Sequence, residues 1–129
     1  MMRRNSALFR LKHDSGGATA VEFAMILPAF LALIVGGLYS SIAVFTSASL
    51  QYAAEQAARC SSVNTTTCSS SGTTTNYAQT VYFGPASPAA AFTYSTPACG
   101  HTVSGTVNYV FDFGLKTLTV PISASACFP

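Results

Sequence analysis

The strongest pattern in the sequence is a run of apolar residues from residue 18 to residue 45. Within it, residues 21–45 carry a single charged side chain, Glu22. As an α-helix those residues would measure about 37 Å, more than the roughly 30 Å hydrocarbon thickness of a bilayer. Residues 18–45 are therefore predicted to form a transmembrane helix. Pro28 is compatible with it, because membrane spans tolerate a proline and bend there.

The helical pattern continues beyond the apolar run. Residues 46–59 are rich in alanine and lack proline and glycine. Leu50, Ala53 or Ala54, and Ala57 recur near one face of a helix. We expect residues 46–59 to extend the helix outside the membrane. Glu55 and Arg59 have the i,i+4 spacing of a favourable ion pair, but two solvated charges without a partner are the more frequent arrangement.

Residues 60–129, called the head, carry a different pattern. Residues 103–113 alternate between apolar and mostly polar side chains, which predicts a strand with one buried face. Gly114 then supplies a turn, and residues 115–120 and 122–127 form a second strand that Pro121 interrupts or ends. Residues 61–76 are predicted to be a loop, residues 77–83 a short strand and residues 84–97 irregular. The fold class is therefore α+β, a long N-terminal helix followed by a small β-rich head.

Charge is scarce and unevenly placed along the chain. Only 8% of the residues are charged, against about 25% in ordinary soluble proteins. Residues 1–17 form a basic leader with a net charge of +3, while residues 18–129 have a net charge of −1. Basic residues beside a span favour the cytoplasmic side, so we expect a cytoplasmic N-terminus and an exported head. The exported part has no basic patch for nucleic acid.

The cysteines all follow the predicted span, at Cys60, Cys68, Cys99 and Cys127. An even number of cysteines in a small exported domain predicts two disulfides. We favour sequential pairing, Cys60 with Cys68 and Cys99 with Cys127, because the short Ser/Thr-rich segment can close on itself and Cys127 can tie the last strand to the body. The other two pairings and free buried thiols remain alternatives.

Catalytic chemistry has few candidate residues. His13 lies in the leader, and His101 is the only other histidine, interpreted as a surface residue at a strand end. The exported carboxylates, Glu55 and Asp112, fall on different predicted elements. No nucleophile triad, phosphate loop or metal-ligand spacing appears. We therefore expect no enzymatic activity, no metal and no cofactor.

The junction Gly16-Gly17-Ala18-Thr19-Ala20-Val21-Glu22-Phe23 carries the chemical signal. A protease cutting after Gly17 would leave the whole apolar segment on the mature chain and create an α-amine on Ala18. In parallel helices offset along their axes, a neighbour's Ala18 ammonium could pair with Glu22, which offsets the cost of burying either charge alone. The alternative is an interfacial Glu22 without a partner.

At these residues the chain resembles type IV-like prepilins and, more closely, TadE-like minor pseudopilins of the tight-adherence (Flp) pilus machinery. The similarity covers roughly residues 15–60, including Gly17, Ala18, Glu22 and Phe23, the following Ile26-Leu27-Pro28, and the Ala-Ala-Arg that ends at Arg59. The head is similar to these proteins only in outline.

The resemblance implies several properties. A prepilin peptidase would cut between Gly17 and Ala18, and Glu22 with Phe23 would serve assembly at the bacterial inner membrane. The implied partners are the major Flp pilin, other pseudopilins, a secretion ATPase and inner-membrane platform proteins. The head would lie in the periplasm or at the cell surface, whether the protein enters the fibre or stays in the membrane.

Two other hypotheses are compatible with the residues. The first is a single-pass, membrane-anchored adhesion module that uses the aromatic residues Tyr77, Tyr82, Phe83, Tyr109 and Phe111 to bind an external surface. The second is a secreted domain released by an ordinary signal peptidase near the small residues Ser47-Ala48-Ser49.

Overall fold

The structure, a computed structural model, describes residues 16–129 except 87, 113 and 115. Within these described residues two helices precede three strands: α1 (Gly16–Val63), α2 (Ser71–Val81), β1 (Ala91–Ser95), β2 (His101–Asp112) and β3 (Thr117–Phe128). The chain divides into an N-terminal unit that ends at Tyr39 and a C-terminal unit, Ser40–Pro129. The predicted α+β class is confirmed. The leader up to residue 15, with His13, lies outside the described residues.

Helix α1 confirms the predicted long N-terminal helix. It is a single helix of 48 residues that includes Pro28. It also runs four residues beyond the predicted end at Arg59. The extension to Val63 is reasonable because Cys60, Ser61 and Ser62 lack the glycine or proline that would end a helix. By length and composition, residues Thr19–Val63 contain a stretch able to cross a membrane.

The strands form one antiparallel sheet in the order β1-β2-β3. The predicted hairpin is confirmed as β2 and β3, paired from His101↔Phe128 to Asp112↔Thr117. Gly114 makes the turn with a φ of 77°, a conformation that favours glycine. The predicted break at Pro121 is wrong, because β3 continues through it opposite Asn108. A proline is tolerated there because β3 is an edge strand.

Strand β1 corrects another prediction. Residues 84–97 were expected to be irregular, but Ala91–Ser95 pairs with β2 from Ala91↔Thr106 to Ser95↔Thr102. The prolines that suggested irregular structure, Pro85, Pro88 and Pro97, all lie outside the paired residues. Phe113 and Leu115, the inner ends of the two predicted strands of the hairpin, lie outside the described residues.

The core of the C-terminal unit lies between α1 and the inner face of the sheet. Alanines and Leu50 of α1 meet Val103 and Val107 of β2 and Phe92 of β1. A Cβ on Gly105 would lie 2.9 Å from Leu50 Cδ2 and 2.6 Å from Phe92 Cε1. Glycine at this position therefore lets the helix approach the sheet closely.

Helix α2 is the largest departure from expectation, because residues 61–76 were predicted to be a loop and 77–83 a strand. Ser70 caps the helix in a capping box with Thr73. Thr74 Oγ1 donates to the Ser70 carbonyl at 2.9 Å. Thr74 and Ala78 are buried one turn apart on the same face of the helix. This helical spacing and the cap stabilise a helix where the Ser/Thr-rich composition suggested a loop.

Both disulfides follow the sequential pairing that the sequence favoured, so that prediction is confirmed. Cys60–Cys68 joins the end of α1 to the segment before α2, with a sequence separation of 8. Cys99–Cys127 joins the loop before β2 to the end of β3, with a separation of 28. The C-terminus is also held to α1, because Ser62 Oγ donates to the Pro129 carbonyl at 2.7 Å.

Candidate functional site

The predicted processing site lies in the N-terminal part of α1. The peptide bond between Gly17 and Ala18 is helical, within Gly16–Val63. Each glycine lowers helix stability by about 1 kcal/mol relative to alanine. Gly16 and Gly17 therefore make the helix easier to unwind beside this bond, which a protease that binds an extended substrate would require.

Gly17 has no steric role among the described residues. It is exposed, and a Cβ built on it would meet none of their atoms within 4 Å. Gly36 and Gly37 are equally open. A requirement for glycine at residue 17 would therefore have to come from a binding partner and not from folding.

Glu22 and Phe23 both lie in the following turn of α1, and both are exposed. Glu22 comes four residues after Ala18, so the two lie about one helical turn, roughly 6 Å, apart along the axis. The structure thus brings the backbone nitrogen of Ala18 and residue Glu22 to the same end of α1.

The N-terminal unit exposes large apolar side chains along α1 that an aqueous environment would not favour. Those at least half exposed between residues 21 and 38 are Val21, Phe23, Met25, Ile26, Phe30, Leu31, Leu33 and Leu38. A continuous apolar surface of this kind marks a membrane or protein contact. It indicates membrane anchoring through the N-terminal apolar helix.

The carboxylates of the C-terminal unit are far apart in the fold and serve local structure. Glu55 Oε1 accepts a hydrogen bond from Gln51 Nε2 at 2.9 Å, and among the described residues it forms no ion pair with Arg59. Asp112 Oδ1 accepts from the Gly114 N–H at 2.8 Å and so holds the hairpin turn. Glu55 and Arg59 line an open groove of about 480 Å³ beside Phe128.

The surroundings of His101 differ from the predicted strand-end surface position. It lies at a strand end, as expected, although β2 begins at His101 itself and not at the predicted residue 103. It is half-buried, and its Nδ1 is hydrogen-bonded to the Tyr94 hydroxyl. Both side chains line an open, hydroxyl-rich cavity of about 260 Å³ that includes Ser61 and Ser70. Sequence reasoning missed this cavity because it depends on α2 and β1, which were not predicted.

The five aromatic residues of the adhesion hypothesis do not form one surface. Tyr82 packs edge-on against Phe92 with a centroid distance of 6.1 Å, and burial raises the pKa of its phenol. Tyr109 and Phe111 pair with each other on β2 at 4.9 Å. Phe83 packs against Phe45 and Tyr52 of α1, and Tyr77 is partly buried against the core.

Comparison with known proteins agrees with the N-terminal features. Residues 17–59 match the family model described as TadE-like protein. The resemblance to TadE-like proteins of the Tad pilus system is therefore confirmed for this segment, which begins at Gly17. No curated protein and no solved structure matches the chain.

Proposed function

We propose that this chain is a minor pseudopilin of a tight-adherence pilus, matured by a prepilin peptidase that cuts between Gly17 and Ala18. The observation that carries the proposal is the family match, which starts at Gly17 and ends at Arg59. That segment contains the proposed cleavage site, the exposed apolar helix and Glu22. The family match supports involvement in a pilus system, and processing and the pseudopilin role go beyond that match.

Cleavage would change the electrostatics at the start of α1. The new α-amine of Ala18 is positively charged and lies one turn from the Glu22 carboxylate. Within a membrane each charge alone is costly, by about 2.5–3.5 kcal/mol at a span centre and less near its end. Pairing Glu22 with the ammonium of an axially offset neighbour lowers that cost, so maturation would create the contact that assembly uses.

The proposed topology places residues 1–17 in the cytoplasm and residues 46–129 outside the inner membrane. The basic leader supports this orientation through the positive-inside rule. The two disulfides support it as well, because such bonds persist in oxidising compartments. The proposed partners are the inner membrane, the prepilin peptidase, the major pilin and other pseudopilins, and the assembly platform with its ATPase.

Glu22→Gln tests the assembly role. We expect cells carrying only this variant to lose surface pili while the protein still resists alkaline extraction from membranes. Glu55→Gln is the matched control, because Glu55 is an exposed glutamate on the same helix, and it should leave piliation unchanged.

The outcomes separate the competing hypotheses. Normal piliation with Glu22→Gln would contradict the assembly role and favour a membrane-anchored adhesion module. Recovery of the wild-type protein from the medium, cleaved near residue 49, would instead support a released domain.

A further inference from the structure

Three aromatic rings form an exposed patch at the start of the C-terminal unit. They are Phe45 and Tyr52 of α1 and Phe83, which follows α2; together they are called the aromatic patch. We propose that the aromatic patch is a lipid-binding surface that seats the C-terminal unit in the interfacial layer of the bilayer. This inference rests on the proposed membrane span and adds a second, non-helical membrane contact.

The geometry of the patch is fixed by the fold. Phe83 packs edge-on against both Phe45 and Tyr52, with ring centroids 5.6 Å away in each case. Phe45 and Tyr52 are seven residues apart and so lie two turns apart on one face of α1. The Phe83 N–H donates to Ser49 Oγ at 3.0 Å, and Ser49 is fully buried. The segment after α2 is therefore held against the helix.

The rings are exposed to a degree that core aromatics are not. Phe45, Tyr52 and Phe83 retain 48%, 46% and 53% of their accessible surface. Three adjoining rings of this size form an apolar surface that a water-exposed protein would normally bury. None of them is a charged residue, and the patch therefore suits an uncharged apolar environment.

The position of the patch identifies the bilayer as the occupant. Phe45 is the last residue of the apolar run, and Tyr52 lies about 10 Å farther along the helix axis. The polar layer on each side of the hydrocarbon core is about 5–8 Å thick. The patch thus begins where a span ending at residue 45 would leave the hydrocarbon and extends through the headgroups. Aromatic side chains are enriched at this depth.

The absence of basic side chains from the patch defines the expected lipid preference. Binding to anionic headgroups needs Lys or Arg near the surface, and the three rings supply none. The contact should therefore form with zwitterionic phosphatidylcholine and be insensitive to salt.

Tryptophan scanning tests the proposal directly, because the chain contains no tryptophan. Full-length Phe83→Trp would be reconstituted into phosphatidylcholine vesicles with bromine on acyl carbons near the headgroup. We expect blue-shifted emission that loses most of its intensity in these vesicles and less in vesicles brominated near the chain ends. Raising the salt concentration should not restore the emission.

Two matched variants make the result interpretable. Val63→Trp changes an exposed residue of the same helix, about 27 Å beyond Phe45, and should give red-shifted, unquenched emission. Leu33→Trp lies within the apolar run and should be quenched by deep bromines, which reports the membrane span itself. Circular dichroism and intact disulfides would confirm that each variant folds.

The pattern across the variants identifies which claim fails. Quenching of Leu33→Trp without quenching of Phe83→Trp would overturn the lipid contact and leave the span intact. A blue shift of Phe83→Trp that disappears on dilution into excess lipid, without quenching, would overturn it in favour of a second copy of the chain. Absence of quenching in both variants would overturn the span and the contact together.

Discussion

The two halves of α1 differ in whether they expose or bury a leucine side chain. Leu33, in the first half, is 76% exposed, whereas Leu50, in the second half, is fully buried. The first half presents large apolar side chains, and the second buries mainly alanines under the sheet. Hydrophobicity therefore does not determine which half is covered by protein. Side-chain size determines it, because small side chains let a helix pack closely against a sheet, whereas large apolar ones suit lipid.

The largest stability effect should come from Leu50→Ala. Its neighbours Ala53, Ala54 and Ala57 are too small to fill the resulting cavity, so we expect a loss of about 4 kcal/mol, toward the upper part of the usual range. Denaturant unfolding in detergent micelles would measure it. Leu33→Ala is the control and should leave unfolding of the C-terminal unit unchanged. Equal effects of the two substitutions would remove the contrast between the halves.

The disulfides should stabilise the C-terminal unit unequally. Loop-closure entropy gives about 3.6 kcal/mol for a separation of 28 residues, Cys99–Cys127, and about 2.5 kcal/mol for a separation of 8, Cys60–Cys68. Replacing each pair by alanines and comparing denaturation midpoints tests the order. A larger loss for the Cys60–Cys68 pair would show that this bond does more than shorten a loop, for instance by holding α2 to the end of α1.

The smallest effect concerns the cap of α2. Ser70→Ala removes the side-chain acceptor for the Thr73 N–H, and we expect a loss of about 1 kcal/mol. Ser69→Ala is a matched control one residue earlier, outside the capping box, and should change the unfolding free energy much less. Similar losses for both variants would mean that the cap does not hold α2.

The sequence predicted the parts of the fold that have a strong period or a simple chain constraint. The apolar run predicted α1, the alternation around Val103 and Val107 predicted β2, and cysteine order predicted the disulfides. It failed where composition competed with pattern: α2 is rich in Ser and Thr, yet Ser70 caps it and Ala78 anchors it. Strand β1 was missed because it is short and flanked by prolines, and its pairing with β2 is a long-range contact.

The candidate sites also differ in whether the sequence alone could predict them. The junction at Gly17 and Glu22 is local in sequence, so the pattern revealed it without the fold. The aromatic patch was missed because Phe83 reaches α1 only through α2 and the hydrogen bond to Ser49. The Tyr94–His101 pair likewise depends on the pairing of β1 with β2.

The mass and N-terminal sequence of the protein extracted from its native membrane decide whether the leader is removed after Gly17. We expect a wild-type chain that begins at Ala18. We also expect a Gly17→Ala variant to retain the leader, although a Cβ at residue 17 meets nothing among the described residues, and a Gly37→Ala control to be processed normally. A wild-type chain that retains Met1, or begins anywhere other than Ala18, would contradict this expectation.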